Sequence, residues 1–381
     1  MTSAGGVHCR LAGPGDAGAV TRFDPAFSPG SRERCLPDPS GLASAMESGE
    51  LLCFMAERDG APEALLFMLH DAAQGLCKLH RIYVPAEAGN AGEISKALIL
   101  AALEILRRSP AMPDIVYATT RTLTPEQQQI TLDAGFRMLG VFPNAYGADR
   151  SGVNGLTAYF FDGVLEKKRR GRFPLHPALA PFYEIAAAEC GLETMEAAAP
   201  PPCDWRRDSR LPALEPIRAA RFVEGRFGLL KSRTSLAASF YPFQKPNLLI
   251  TNPEQTIEIF CRAADNIRFA AVIGERIAEP VDPVRLYLEI SGILETSGSS
   301  YVEMINDAAD ISGVDCLLRA GYTPCAYFPC LKKHAGLRRD YVIFSKSFGR
   351  DIALSSAGLA VPYARFLEAY LSFRAKTQPP I

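Results

Sequence analysis

Glu303 interrupts an otherwise apolar run, Tyr301-Val302-Glu303-Met304-Ile305. A carboxylate is costly to bury without a partner. It therefore faces solvent, pairs with an arginine, or serves as a base or as the ligand of a substrate ammonium. Arg338-Arg339-Asp340-Tyr341 is either part of the same polar cluster or the charged end of a hairpin. His80, in Leu79-His80-Arg81, carries a ring that titrates near neutrality when unperturbed, which suits a general base. A polar contact at a strand edge or in the core is its plainer reading, and Tyr117 reads as core. HExxH, a Walker loop, a nucleophile elbow and a CxxC pair are all absent. That excludes zinc-protease, P-loop, α/β-hydrolase and dithiol chemistry of the familiar kinds.

The elements that must hold these residues follow from hydrophobic period and turn chemistry. Val7 to Ala12 reads as a strand, and Pro14-Gly15-Asp16 starts a helix to Phe23. Ser28 to Ser40 reads as an exposed loop. Leu51 to Glu57 and Ala64 to His70 flank Asp59-Gly60, a hairpin signal, and Leu76 to Val84 is a third strand. Gly92 to Arg108 is a helix, apolar nearly all round, with Arg107 and Arg108 at its negative end. Asp114 to Thr119 is a strand, Pro125 to Asp133 a helix, and Phe136 to Phe142 and Leu156 to Phe161 are closing strands. Later, Leu248 to Ile250, Thr256 to Cys261 and Arg268 to Ile273 are strand-like, and Asp282-Pro283 caps a helix reaching Glu295. Tyr301 to Ile305, Tyr322 to Tyr327 and Tyr341 to Phe348 are strands, Gly313 to Arg319 is a helix, and Tyr363 to Phe373 is a terminal helix.

The second series repeats the first. Ile115 to Pro143 laid over Tyr301 to Pro329 matches without a gap at Val116/Val302, Leu132/Leu318, Ala134/Ala320, Gly135/Gly321, Phe142/Phe328 and Pro143/Pro329. Composition alone gives roughly two such identities, so duplication is the leading hypothesis. The expected fold class is α/β of the α+β kind, two tandem domains each with a mixed, mostly antiparallel sheet flanked by helices. The expected domains are 1–165 and 216–381. Between them, 166–215 is a connector with a helical piece, Ala180 to Cys190, and a proline-rich segment.

A net charge of −1 offers no electrostatic case for nucleic acid or an anionic membrane. The basic run Lys167-Lys168-Arg169-Arg170-Gly171-Arg172 reads as a solvated linker face, with an anion or partner patch as the alternative. No stretch reaches transmembrane length, and the first residues lack the pattern of a secretory signal. Ten scattered cysteines are expected as reduced, buried thiols in a cytoplasm, with no metal site.

With these residues in hand, the chain resembles the GNAT superfamily of acyl-CoA-dependent N-acyltransferases. Arg10-Leu11-Ala12 with Asp16 is similar to that family's first strand and helix start. Met55-Ala56-Glu57-Arg58-Asp59-Gly60 resembles its second strand and turn, and Arg81-Ile82-Tyr83-Val84 its fourth strand. Ala134-Gly135-Phe136, repeated as Ala320-Gly321-Tyr322, resembles its fourth helix end and sixth strand. The resemblance implies acyl transfer from acetyl-CoA or another acyl-CoA to an amine of a small metabolite or peptide.

It also implies positions. In the family, small residues before the central helix let backbone N–H groups close on the pyrophosphate of coenzyme A, and the helix field adds to this. The stretch here is Gly89-Asn90-Ala91-Gly92-Glu93-Ile94. Gly92 fits the family's central glycine. Gly89 stands where a basic residue or Gln is usual, and Ile94 where a small one is. Glu87 and Glu93 bring negative charge nearby, and the glycines could equally form an ordinary loop. Tyr83 and Val84 join Gly89, Asn90, Ala91 and Gly92 as implied cofactor contacts. His80 and Glu303 are the candidate bases and Tyr146 the candidate acid for the departing thiolate.

The second loop, read as Gly274 to Pro280, has one glycine, two glutamates and a proline without an N–H. The first copy is therefore the expected cofactor holder, with the second shaping the acceptor site or lending dimer-like support. A homodimer stays open. So do a non-catalytic ligand- or partner-binding role and decarboxylation or hydrolysis of an acyl-CoA.

Overall fold

The computed structural model describes residues 2–4, 7–25, 39–120, 124–143, 145, 153–200, 211–233, 235–236, 243–348 and 354–377. Contacts divide the chain into two compact units. The first comprises Met1–Thr120, Thr124–Arg137 and Thr157–Val164; the second is built chiefly from Met138–Leu156 and Leu165–Ile381.

The first unit contains β1 (Thr2–Ala4), β2 (Val7–Leu11), α1 (Ala17–Phe23), α2 (Pro39–Glu47), β3 (Leu51–Arg58), β4 (Ala61–Asp71), β5 (Leu76–Tyr83), α3 (Ala91–Arg107), β6 (Ile115–Thr120) and α4 (Pro125–Asp133). β7 (Arg137–Phe142) then passes into the second unit, and β8 (Asn154–Phe160) returns to the first. Strands β1 to β5 pair antiparallel in chain order, and β5 pairs parallel with β6. The β3–β4 turn has positive φ at both Asp59 and Gly60, as a tight hairpin demands. Thr124 accepts from Gln127 N at 3.2 Å in a capping box, with a proline in the first helical position, so α4 starts where its sequence says. Alternation on β3 and β4 turns Leu51, Cys53, Met55, Leu65 and Phe67 to one face, where they close on Val20, Leu42 and Met46 of α1 and α2. Helix α2 is absent from the sequence-based expectation and begins at Pro39, inside the loop expected to Ser40; its apolar Leu42 and Met46 pack against that face.

The second unit contains α5 (Ala180–Cys190), β9 (Glu215–Ile217), α6 (Ala220–Ser232), β10 (Leu248–Thr251), β11 (Ile257–Ala264), β12 (Phe269–Ile277), α7 (Pro283–Thr296), β13 (Tyr301–Asp307), α8 (Ile311–Arg319), β14 (Thr323–His334), β15 (Leu337–Ser347) and α9 (Val361–Thr377). Its strand order is β7-β14-β15-β13-β12-β11-β10-β9, with β12 and β13 the parallel pair. Helix α6 is absent from the sequence-based expectation. Two of its residues, Val223 and Leu230, pack on Leu249, Phe260, Ala271 and Ile273, and this tertiary contact overrides its three weak helix formers Gly225, Gly228 and Phe222.

The basic run is not simply a solvated face. Arg169 grips Asp340 through Nε at 3.0 and 3.1 Å, and Asp340 also accepts from Tyr327 Oη at 2.9 Å and Cys330 N at 3.0 Å. Asp340 and Arg338 are 0% exposed. Arg338 donates to the carbonyls of Cys330 and Leu331, and its own carbonyl accepts from Arg170 N at 2.7 Å. Cys330 has φ 59°, inside an irregularity where β14 holds more residues than its partner β15. The buried charges therefore tie the chain after Val164 to a bulge in β14. Arg339 pairs instead with Asp307 at 3.0 Å. Of the two readings of Arg338 to Tyr341, a cluster shared with Glu303 gives way to this network.

Gly140 of β7 lies opposite Ala326 of β14, where an added Cβ would meet Ala326 Cβ at 2.0 Å and its Cα at 2.4 Å. Backbone cannot yield as a side-chain tip can. Gly140→Ala is expected to destabilise the chain by about 1–3 kcal/mol, read as a lower urea midpoint with an unchanged slope.

Candidate functional site

In the first unit the chemistry-bearing stretch runs from β5 into α3. The β5–β6 ladder starts at Leu76↔Ile115 and ends at Leu79↔Ala118, although β5 continues to Tyr83. At the same point the β4–β5 register jumps from Met68↔Leu79 to Phe67↔Arg81, leaving His80 as the extra residue of a bulge. A bulge bends its strand and increases local twist, so β5 parts from β6 there. His80, Tyr83 and Val84 are half-buried along the parted segment. Arg81 is committed elsewhere: its guanidinium holds the fully buried Asp24 at 3.0 and 3.1 Å. Tyr83 packs edge-on against Phe23 with ring centres 5.5 Å apart. Tyr117 on β6 is half-buried, has the Lys78 ammonium 5.9 Å from its ring centre, and is pushed up in pKa by desolvation.

The loop beyond β5 reaches α3 through Gly89, whose φ of 68° explains why no basic side chain stands there. Asn90 is the N-cap residue, and its side chain makes no capping bond. The amides of the first turn of α3 thus have no side-chain acceptor from their cap. Gly89, Asn90 and Ala91 are exposed and Gly92 is half-buried. Glu126 from α4 brings a competing charge: a Cβ on Gly92 would lie 2.6 Å from its Oε1. Glu87 and Glu93 are exposed.

The second unit has the same strand arrangement with a different ending. β12 and β13 pair from Phe269↔Tyr301 to Ala271↔Glu303 and then stop, and the β11–β12 register skips Ile273. The stretch read from sequence as a loop from Gly274 is strand as far as Ile277, because Ile257 to Phe260 supply ladder partners for it. The true loop ends at Asp282, whose carboxylate accepts from Val284 N at 2.9 Å and Arg285 N at 3.4 Å. This helix start is filled by its own side chain.

Glu303 is 7% exposed, which rules out the solvent-facing reading. It lies level with Ser345 and Ala271, and its charge helps raise the pKa of buried Tyr301 and Cys325, whose larger cause is desolvation. Tyr146 lies outside the described residues. The sequence reading missed Glu275. It follows the β12 bulge, half-exposed by surface yet packed among protein atoms, with Tyr287 Oη 3.4 Å from both carboxylate oxygens. Desolvation raises its pKa to about 7, Asp310 adding to the rise and Tyr287 opposing it. The sequence reading ended this strand at Ile273 and placed Glu275 in a loop, so the signal that singled out Glu303, a carboxylate inside a strand, did not reach it.

No protein-family model matches the chain, and no curated protein matches it. Among solved structures, an acetyltransferase of the GNAT family from Streptococcus pneumoniae is similar over 40% of this chain and 98% of its own, at 14% identity and a TM-score of 0.34. A mutant of the spermidine N-acetyltransferase SpeG from Vibrio cholerae is similar over 41% and 95%, at 12% identity and 0.33. RimJ from Mycobacterium smegmatis, in complex with CoA-disulfide, is similar over 41% and 82%, at 19% identity and 0.33.

Because Glu275 holds its proton more tightly in the folded chain than its ordinary value of 4.5 allows, folding is favoured at low pH. That contribution is lost as pH rises from 4.5 to about 7. Glu275→Gln is expected to flatten this part of the stability curve, measured by urea unfolding at pH 5 and pH 8.

Proposed function

We propose that this chain is an acyl-CoA-dependent N-acyltransferase made of two copies of one module, the first of which holds the thioester carrier. The observation that carries the reading is the contrast between the two helix starts that follow the parted strands. Both units part a parallel pair at a bulge, but α3 keeps its first-turn amides clear of its cap side chain, whereas Asp282 occupies those of α7. A pyrophosphate is suited to the former by the partial positive charge of the helix end and is excluded from the latter by an existing carboxylate.

On this reading the pantetheine arm enters beside the parted segment His80 to Val84, and a backbone N–H there polarises the thioester carbonyl. An amine nitrogen of a small metabolite or peptide attacks that carbonyl carbon, the C–S bond breaks, and the sulfur leaves as thiolate. His80 takes a proton from the acceptor ammonium before the free amine attacks; Tyr146 gives its proton to the thiolate and is restored by the second nitrogen proton released as the amide forms. The role of Tyr146 derives from the resemblance to the GNAT superfamily, that of His80 from a ring that titrates near neutrality when unperturbed.

Acetyl-CoA or a longer acyl-CoA is expected to raise the melting temperature of the full chain, since it binds only the folded state. Gly92→Trp should remove that shift while leaving the melt cooperative, because Gly92 keeps a partly exposed side and the nearest atom it meets is the end of the flexible Glu126 side chain. Absence of any shift with every acyl-CoA tried would overturn the reading. Glu126→Gln is expected to act the opposite way. Removing a negative charge beside the start of α3 should tighten acyl-CoA binding by about 0.3–1 kcal/mol at low salt, with the gain shrinking as ionic strength rises, measured by calorimetric titration.

A further inference from the structure

The end of the β14–β15 hairpin sets two cations against each other. Ala335 and Gly336 both take positive φ, 48° and 83°, so the turn is tight and the register is fixed. Lys332 then stands opposite Arg339, Lys333 opposite Arg338, and His334 opposite Leu337. Alternation turns Arg338 to the buried side of the hairpin and leaves Lys332 and Arg339 together on the other side. Like charges directly opposite one another on an antiparallel pair are destabilising.

Lys332 does not escape that cost by standing free in water, because it is half-buried. Burial, and then the Arg339 charge, hold its ammonium below the ordinary lysine pKa; Asp307 opposes them, and Lys231 at the end of α6 adds to the fall. Asp307 is already committed, since it accepts from Arg339 Nη1 at 3.0 Å. The Lys332 ammonium pairs with no carboxylate among the described residues. Tyr341 lies level with Asp307 and two residues from Arg339, on the same side. Burial, and then the Asp307 charge, push its hydroxyl up to about 12, so it adds no negative charge there.

Three cations from three elements, Lys231 of α6, Lys332 of β14 and Arg339 of β15, thus stand against the single carboxylate of Asp307. The excess is two positive charges, both on groups rich in N–H donors. A phosphate ester brings about −1.5 to −2 charges at neutral pH and three strong acceptor oxygens. It matches the excess in both charge and hydrogen bonding, and charge-assisted bonds of this kind are the strong ones. A carboxylate brings half the charge and leaves the repulsion partly in place.

We propose that this side of the hairpin binds the phosphate group of a small molecule, whose oxygens accept from Lys332 and Arg339, with Lys231 at the rim. The site belongs to the second unit and does not depend on acyl-CoA binding by the first. Empty, it holds cations that repel one another; occupied, it holds a dianion that removes the repulsion.

The test is a set of thermal melts of the full chain at pH 8 and constant low ionic strength, with millimolar sodium phosphate, methyl phosphate, acetate or chloride. Phosphate or methyl phosphate is expected to raise the melting temperature by roughly a few degrees, by less as ionic strength rises. Acetate and chloride should leave it unmoved. A shift with methyl phosphate identifies the ligand as a phosphomonoester, and a shift with inorganic phosphate alone identifies it as the free ion. Lys332→Gln should lose the shift yet keep the acyl-CoA response of the parent chain. Gly92→Trp should keep the shift, which separates this site from an anion held at the start of α3. Should Lys332→Gln fail to fold, Lys231→Gln, at an exposed position, decides by a reduced shift. A general salting effect would survive in Lys332→Gln. That survival, a shift lost in Gly92→Trp or unaltered in Lys231→Gln, an equal shift with acetate or chloride, or no shift with either phosphate would overturn the proposal.

Discussion

The parting of a parallel strand pair at a single extra residue is the constraint on which the rest of each unit depends. A parallel ladder continued to the strand ends would satisfy more backbone groups, and buried backbone groups left unpaired are costly. The chain instead inserts His80 into β5 and Ile273 into β12, and the ladder stops beside or just before each insertion. The interruption leaves strand-end backbone and side chains beside a helix start in each unit. Helices packed on the sheet offset the cost, as α1 and α2 do in the first unit and α6 in the second.

From this common geometry the two units diverge in electrostatics. One helix start has a cap residue that leaves the amides alone, and the other has an aspartate that takes them. The first arrangement favours an anion and the second repels one. Conversely, the residue two places beyond the bulge is Ile82 in the first unit and Glu275 in the second.

Buried charge also sets how the chain after the first unit is held. Asp340 is stable without solvent because Arg169, Tyr327 and Cys330 N saturate it, while Arg338 satisfies the carbonyls exposed by the bulge at Cys330. Such a cluster is a weak source of net stability, since desolvation offsets most of the attraction. Its use is specificity: it fixes the place of the irregularity at Cys330, one of two in the β14–β15 ladder.

Much of this was legible in the residues. Hydrophobic period and turn chemistry located α3, α4 and α5 and the Asp59-Gly60 hairpin nearly to the residue, because helix caps, prolines and glycines act within a few positions of the chain. The order of strands and the repeated Ala-Gly-aromatic step likewise followed from local pattern. Helix α6, the strand continuing through Glu275 to Ile277, and the burial of Arg169 and Arg338 did not follow, since each owes its state to partners far along the chain: Leu249 and Phe260, Ile257 to Phe260, and Asp340 with Cys330. By itself the sequence determined which segments could be helix or strand and which side chains carried charge. Only the tertiary structure decided which charges lose water and which face one another, because desolvation and Coulomb interaction depend on distance in space rather than along the chain.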